Sequence, residues 1–241
     1  SISNANGATT IKTGIFFNFN GTVKNIAFEN AKVYGLTDVG ILGGNAYGCT
    51  VENASFTNCT IAQEGTLSGG DGYFATLVGR CRGDINTFTN ITIDNSTISA
   101  PQRCGLLVAA GVGTSNSCTI NASNVIVDGN ITEQGAHAGL IGRNQAATIT
   151  LDDALISLEV RYSKKEVGAV LGRNETGGSL KANNVFSDLR IKDMTQPTYF
   201  GQFIGYDATT TGSFGKAFAY SASSISYVNN DYSYLGDAIT P

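Results

Sequence analysis

The chain has no tryptophan, one methionine, one histidine and three prolines in 241 residues, and only 14% of its residues are charged. Each shortage excludes something. A net charge of −4 leaves no basic footprint for nucleic acid and no polybasic patch for a membrane surface. No run approaches the roughly 18 apolar residues that a membrane span requires. The lone His137 and five cysteines without a Cys-x-x-Cys pair offer no zinc-ligand spacing. Stretches with apolar residues at helical spacing always contain Gly, Asn or Thr, which excludes a helical domain. A hydrophobic fraction of 41% excludes a disordered tract. The opening Ser1-Ile2-Ser3-Asn4 carries neither Met nor an apolar leader and reads as a processed or excised piece of a longer chain.

What the chain has in excess is Gly (30 residues), Asn, Ser and Thr, interleaved with β-branched and aromatic residues. That mixture favours short strands and turns, so the fold class is all-β. A phrase of the form small-x-apolar-apolar-Gly recurs at Gly40–Gly44, Ala75–Gly79, Gly105–Ala109, Ala138–Gly142, Gly168–Gly172 and Gly201–Gly205, after a degenerate Gly14–Asn18. Its first residues step by 26, 35, 30, 33, 30 and 33. A second phrase follows in register at Thr22–Val33, Thr50–Ile61 and Thr87–Ile98, and its centre survives at Asn124–Val127, Asp153–Ile156 and Asn184–Ser187.

Two phrases in fixed order, about seven times, are the signature of a stacked repeat. Apolar residues two apart, such as Ile26/Phe28, Ile91/Ile93 and Val125/Val127, point to one face of a strand. One repeat cannot bury that face, but stacking places like above like and builds a continuous core. The expected fold is therefore a single parallel β-helix, or solenoid, of six to seven coils over residues 13–205. Residues 1–12 form an N-terminal extension or cap, and 206–241 a non-repeat C-terminal cap or tail. Coils spaced ~4.8 Å apart give a rod ~30–35 Å long. The recurring Gly is expected to supply a positive-φ corner. Asn25, Asn53, Asn90, Asn124 and Asn184, with Asp153 in the series, tolerate the left-handed region and form a ladder, one per coil.

The phrases, typified by His137–Asn144 and Val167–Asn174, resemble the GLUG repeats of secreted and surface proteins. The resemblance covers roughly residues 13–205. It implies a solenoid fold and a surface location, with members that look like stalks or adhesin modules, and it carries over no catalytic residue. The copy at 105–110 ends in Ala109-Ala110 where others have Gly-Arg or Gly-Asn, so that corner is expected to differ.

Many parallel β-helices cleave acidic polysaccharides, which takes paired carboxylates or a metal-activated base. Arg190-Ile191-Lys192 resembles a short polygalacturonase motif and Asp152-Asp153 could supply carboxylates, but the companion Asn-Thr-Asp and Gly-His-Gly motifs are missing. These residues read as turn and surface charge, and His137 as an exposed turn histidine. No catalytic residue, metal or cofactor is assigned. The cysteines at 49, 59, 81, 104 and 118 lie in neighbouring coils. Cys81 with Cys104 or Cys118 is the favoured disulfide, with Cys104 named first, against buried thiols as the equal alternative. Eight Asn-x-Ser/Thr acceptors occur, of which Asn53, Asn58, Asn90 and Asn95 are repeat positions; Asn20, Asn121, Asn130 and Asn174 remain as glycosylation sites. Arg82-Gly83-Asp84 reads as a polar turn rather than an adhesion tripeptide. Thr87/Thr89 has no equivalent pair in the adjacent coils, which leaves an ice-binding lattice unsupported.

Between the end of the second phrase and the next first phrase lies a connection of variable length: 34–39, 62–74, 99–104, 132–137, 161–167 and 192–200. Of these 47 residues 11 are charged, about 23% against 14% for the chain. Per-repeat variation maps to one side of a solenoid, often the binding side. Tyr34, Tyr73, Tyr162, Lys164, Lys165 and Tyr199 are the expected contact face. The function implied is a non-catalytic extracellular module, structural or adhesive, or a filament subunit. Its partners would be protein or glycan at the cell surface, or further copies of itself, with no nucleic acid and no membrane span. A polysaccharide-binding or polysaccharide-cleaving helix is the first alternative, and an ice-binding solenoid the second.

Overall fold

In every second phrase an asparagine interrupts a strand, and its backbone is what lets the chain turn a corner without breaking the sheet. The computed structural model describes residues 2–3, 12–67, 72–113, 117–133, 136–161, 165–192, 199–208, 212–220 and 237–239. All described elements are strands, in two parallel 12-stranded sheets. One sheet is built from the second phrases: Thr22–Glu29, Thr50–Thr57, Asp84–Ser99, Cys118–Ile131, Thr148–Arg161 and Ser179–Lys192. The other is built from the first phrases. The chain passes from one sheet to the other and back in each coil, about six turns in all. The all-β parallel solenoid expected from the repeat is thus the fold, and no described helix is long and apolar enough to cross a membrane.

Register follows the phrase alignment: Val51 lies beside Val23 and Phe88, and Phe56 beside Phe28 and Ile93. Residues at alternate positions point inward and are sealed, as with Phe56, Phe88, Ile91, Ile98, Val125 and Ile156. Asn25, Asn53, Asn90, Asn124, Asp153 and Asn184 all lie at φ between 52° and 57°. Left-handed backbone is costly for most side chains but tolerated by Asn and Asp. Their side chains form the ladder: Nδ2 of Asn53 donates to Oδ1 of Asn25 at 3.0 Å, Asn90 to Asn53 at 2.8 Å, Asn124 to Asn90 at 3.0 Å, and Asn184 to Asp153 at 2.9 Å.

A second corner exists in the first three coils only. Asn30, Asn58 and Asn95 are also left-handed, and Asn95 Nδ2 donates to Asn58 Oδ1 at 2.7 Å. At the next coil the register shifts: Ile93 and Ser96 face Val127 and Gly129, so two residues oppose one. This bulge removes the corner, and it explains why only the centre of the second phrase persists in later copies.

The first phrase folds differently from expectation. The repeat glycines 44, 79, 142, 172 and 205 are not among the positive-φ glycines, which are 21, 48, 65, 83 and 177. Their role is close approach. The chain reverses within each phrase, with bends at 41–42, 76–77, 169–170 and 202–203, and the apolar pair at the apex enters the core. The glycine then meets the opposite leg: a Cβ on Gly142 would lie 2.5 Å from the Cys104 carbonyl oxygen, and one on Gly172 would lie 2.7 Å from the Ala138 nitrogen. Ala109 replaces this glycine in its coil; the register shifts at the next one, where Ala138–Ile141 is one residue shorter than both Cys104–Val108 and Val167–Leu171.

Coil stacking runs beyond Gly205. Gly212–Phe214 and Ala217–Tyr220 pair with Ser179–Lys192, and Asp237–Ile239 pairs with Ala217–Tyr220. At the other end Ile2–Ser3 pairs with Lys32–Gly35.

Two outcomes follow. Gly142→Ala should lower the unfolding free energy by at least about 2 kcal/mol in chemical denaturation, because the Cβ meets backbone that cannot give way. Asp153→Asn should raise it by about 1 kcal/mol. In the ladder each rung donates to the one before, but a carboxylate has no proton to give to Asn124.

Candidate functional site

Reversal of the first phrase brings residues six or seven apart in sequence face to face, once per coil. Along one leg Lys12, Asp38, Tyr73, Arg103, His137, Glu166 and Tyr199 stack in a column. Along the other stand Asn18, Asn45, Arg80, Ala110, Arg143, Arg173 and Tyr206. Side chains meet across the fold. Lys12 donates to Asn18 Oδ1 at 3.2 Å, Asn45 donates to Asp38 at 3.3 Å, and Arg80 pairs with the buried Asp38. Arg173 reaches Glu166 Oε1 at 2.9 Å and Glu175 Oε1 at 3.0 Å, and Arg143 Nη2 reaches the same Glu175 oxygen at 2.7 Å.

Aromatic rings fill the spaces between the charges. The guanidinium of Arg80 lies 4.5 Å from the Tyr73 ring centre and that of Arg103 lies 5.2 Å from it. Arg143 Nη1 donates to the Tyr73 hydroxyl at 3.2 Å. It reaches that far because the intervening rung carries only Ala110, the departure visible in the repeat. At the far end Arg173 covers Tyr206, whose ring lies 4.7 Å from that of Tyr199. Five cations and three carboxylates (Asp38, Glu166, Glu175) make this stripe net positive on an acidic chain.

His137 is buried, not exposed as a turn histidine would be, and its Nδ1 abuts Glu166 Oε2. Burial lowers its pKa, a shift that Glu166 only partly offsets. Glu166 is desolvated too, which alone would raise its pKa, but His137, Arg173 and Lys165 outweigh that and leave it lowered. The neutral imidazole therefore faces a carboxylate whose charge is balanced by arginine.

The structure redistributes the other residues singled out above. Tyr73 is only 3% exposed and is a buried part of the stripe rather than a free contact residue. Tyr199 is partly exposed within it, Lys165 is exposed beside it, and Tyr34 is partly exposed on the other sheet. Tyr162 and Lys164 lie outside the described residues. Asn20 is exposed, and Asn121 and Asn130 are partly exposed within strand Cys118–Ile131. Asn174 is not an acceptor for a glycan. It is fully buried, receives a hydrogen bond from Asn144 at 2.9 Å and donates to Asp207 at 3.0 Å.

The Cys81–Cys104 disulfide does not form, and all five cysteines are free and buried. The two sit on opposite legs of the chain reversal: Cys104 beside Phe74 and Ala138, Cys81 beside Ala46 and Gly111. Cys104 Sγ turns toward the Ala100 carbonyl oxygen, 3.4 Å away, while Cys118 Sγ lies 3.5 Å from the Cys81 carbonyl oxygen. Burial pushes the Cys49 thiol up to about 12 and Cys118 to about 11, and raises those of Cys81 and Cys104 as well.

Arg82-Gly83-Asp84 forms a pinned corner, with Gly83 and Asp84 both at positive φ and Asn86 donating to the Gly83 carbonyl at 3.2 Å. Arg190 contacts Asp188 and Asp128, and Lys192 reaches Glu159 at 2.8 Å. The arginines at 80, 143 and 173 join the site although the sequence marks them only by the recurrent Gly-Arg that ends the first phrase, a signal that repeat chemistry alone also accounts for.

Comparison with family profiles, with curated proteins and with solved structures gives no match to this chain.

The acid response of the pair follows from the two shifts. A histidine whose folded pKa is depressed stabilises the fold above its unfolded value of 6.5, and that contribution fades as pH falls below it. The lowered Glu166 acts with the same sign, below 4.5. Urea midpoints for the native chain should decline from about pH 6.5 downward. His137→Gln should flatten the decline above pH 4.5 and leave the steeper loss at lower pH.

Proposed function

We propose that this solenoid is a non-catalytic module of the cell surface or extracellular space that acts as a rigid structural or adhesive element. Its resemblance to GLUG-repeat proteins supports the location. The observation that carries the reading is the side-chain stripe on the first-phrase sheet. There the buried ionisable groups are engaged with one another, Asp38 with Arg80 and Glu166 with His137 and Arg173, as structural cross-links are. Three of the residues that a polysaccharide-cleaving reading would need are similarly committed. Asp153 is a ladder rung, Arg190 pairs with Asp188 along its own strand, and Lys192 pairs with Glu159 of the neighbouring strand. Burial keeps all five thiols protonated, so an oxidising medium does not require them to pair.

Adhesion would use the rim of the stripe, where Lys165, Tyr199, Arg173 and Tyr206 present planar and cationic groups to sugar hydroxyls, acidic saccharides or protein. The experiment retains the immobilised chain against arrays of acidic and neutral glycans and of surface proteins, and analyses the recovered glycans for shortening. Retention of full-length ligand, reduced at least about tenfold by Arg173→Ala with Tyr206→Ala, is the expected result. Release of shortened saccharides would overturn the non-catalytic reading. Retention unaffected by the double substitution would remove the stripe as the adhesive face.

A further inference from the structure

The outer surface of the second-phrase sheet turns from polar to apolar along one column of the rod. Thr92 stands there in one coil, and Ile126, Leu155, Phe186 and Phe218 follow in the next four. Ile126 is 53% exposed and Leu155 46%, and both phenylalanines are partly exposed. Side chains alternate along a strand, so the neighbours of these residues, such as Val125 and Val127 beside Ile126, are the ones that fill the core. The outer column therefore does nothing to hold the coils together. It is also lateral: strands that stack on either end of the rod add rungs along its axis and do not cover this face.

Charge gives this face a direction. On one flank, at the asparagine corner, the rungs read Asn124, Asp153, Asn184 and Lys216, all exposed, so a carboxylate precedes an ammonium by two coils. On the other flank stand Asp128, Ser157 and Asp188. Consider a second copy laid face to face about a two-fold axis along the strands, crossing the column between Leu155 and Phe186. The order of rungs is then reversed in the second copy. Leu155 meets its Phe186 and Ile126 meets its Phe218, an aliphatic side chain against a ring each time. Asp153 comes within one rung of its Lys216, and Asp188 meets its Ser157 rather than a carboxylate. The other face-to-face two-fold, along the rod axis, would instead set Asp153 between Asp128 and Asp188, where like charges repel.

We infer that the column Ile126, Leu155, Phe186 and Phe218 is the centre of a homodimer interface, with two copies packed sheet against sheet and their rods antiparallel. A face that is complementary to itself in both shape and charge closes as a two-fold dimer. The column spans three rung spacings, ~14 Å. With its flanks, the contact falls at the low end of the roughly 1,200–2,000 Å² that specific interfaces bury. The dimer is therefore reversible, with a Kd on the order of 10–100 µM, and not obligate. The inference does not depend on where the protein resides, and it uses the other sheet from the arginine stripe.

Sedimentation velocity of the full chain, from roughly 1 to 500 µM, should show a monomer–dimer equilibrium. Ile126→Thr with Leu155→Thr extends what Thr92 already places in this column. The pair should weaken the dimer at least about thirtyfold and leave the unfolding midpoint of dilute protein unchanged. Asp153→Asn keeps the ladder and should weaken the dimer about threefold while reducing its salt dependence. Orientation is read by cross-linking with oxidised glutathione, to which the buried native thiols are closed. Chains carrying Leu155→Cys, mixed with chains carrying Phe186→Cys, should join to each other faster than either joins to itself. A chain that stays monomeric at the highest concentration overturns the proposal, as does a dimer that the threonine pair leaves intact. Faster self-joining of Leu155→Cys also overturns it, because the axis then runs along the rod. Arg173→Ala with Tyr206→Ala should leave the dimer unchanged; its loss there would put the contact on the stripe and overturn the proposal as well.

Discussion

A chain that turns back on itself within five residues, once per coil, must bring two backbone segments to touching distance, and most of the architecture answers to that contact. Only a residue without a side chain fits where Gly142 meets the Cys104 and Ala109 carbonyls or where Gly205 meets the Val167 nitrogen. With the legs in contact, the apex pair enters the core, as Leu77 and Val78 or Leu140 and Ile141 do. The same contact forces the residues at the leg ends against one another. Seven consecutive rungs then place charged and aromatic groups where water is scarce, and such groups need partners. Asp38 with Arg80, and Glu166 with His137 and Arg173, answer that need.

The second sheet solves the opposite problem, which is to turn a corner while keeping every rung paired. A left-handed residue does this at one position, and asparagine makes the position cohesive as well as permissible. The corner is therefore also a seam, held by amide-to-amide hydrogen bonds from Asn25 to Asn124 and by an amide-to-carboxylate bond from Asn184 to Asp153. Where the second seam at Asn30, Asn58 and Asn95 ends, the later strands run on without a second corner, as in Thr148–Arg161. Outward-facing residues change character at the same place. The column Ala27, Ser55, Thr92 becomes Ile126, Leu155, Phe186, Phe218 down the rod.

What the sequence discloses is what repeats within one coil. Apolar alternation, the asparagine series and the order of the two phrases are each local, so the class of fold, the register and the ladder could be read from them. The failures have one common cause. Whether Gly142 serves dihedral freedom or close approach depends on atoms of Cys104, in the neighbouring coil. The burial of His137 depends on Glu166, and that of Tyr73 on Arg80, Arg103 and Arg143, the last of them two coils away. Asn174 has the form of a glycan acceptor, but its amide is spent on Asp207. Beyond Gly205 the coil continues although Lys216 stands where earlier coils have Asn, so the phrase fades before the stacking does.

These dependences also bear on where recognition can occur. Groups buried in the stripe are already compensated, and displacing Asp38 or Glu166 from its arginine would leave an uncompensated buried charge at a cost of several kcal/mol. A ligand gains little by competing for them. Groups at the rim are different, because a partly exposed Arg173 or Tyr206 can add a contact without surrendering its own. The rod is thus stiff where its charges are hidden and receptive where the columns reach solvent. A module of this build separates the residues that hold its shape from those that would meet a partner in the proposed adhesive role, although both belong to the same two columns.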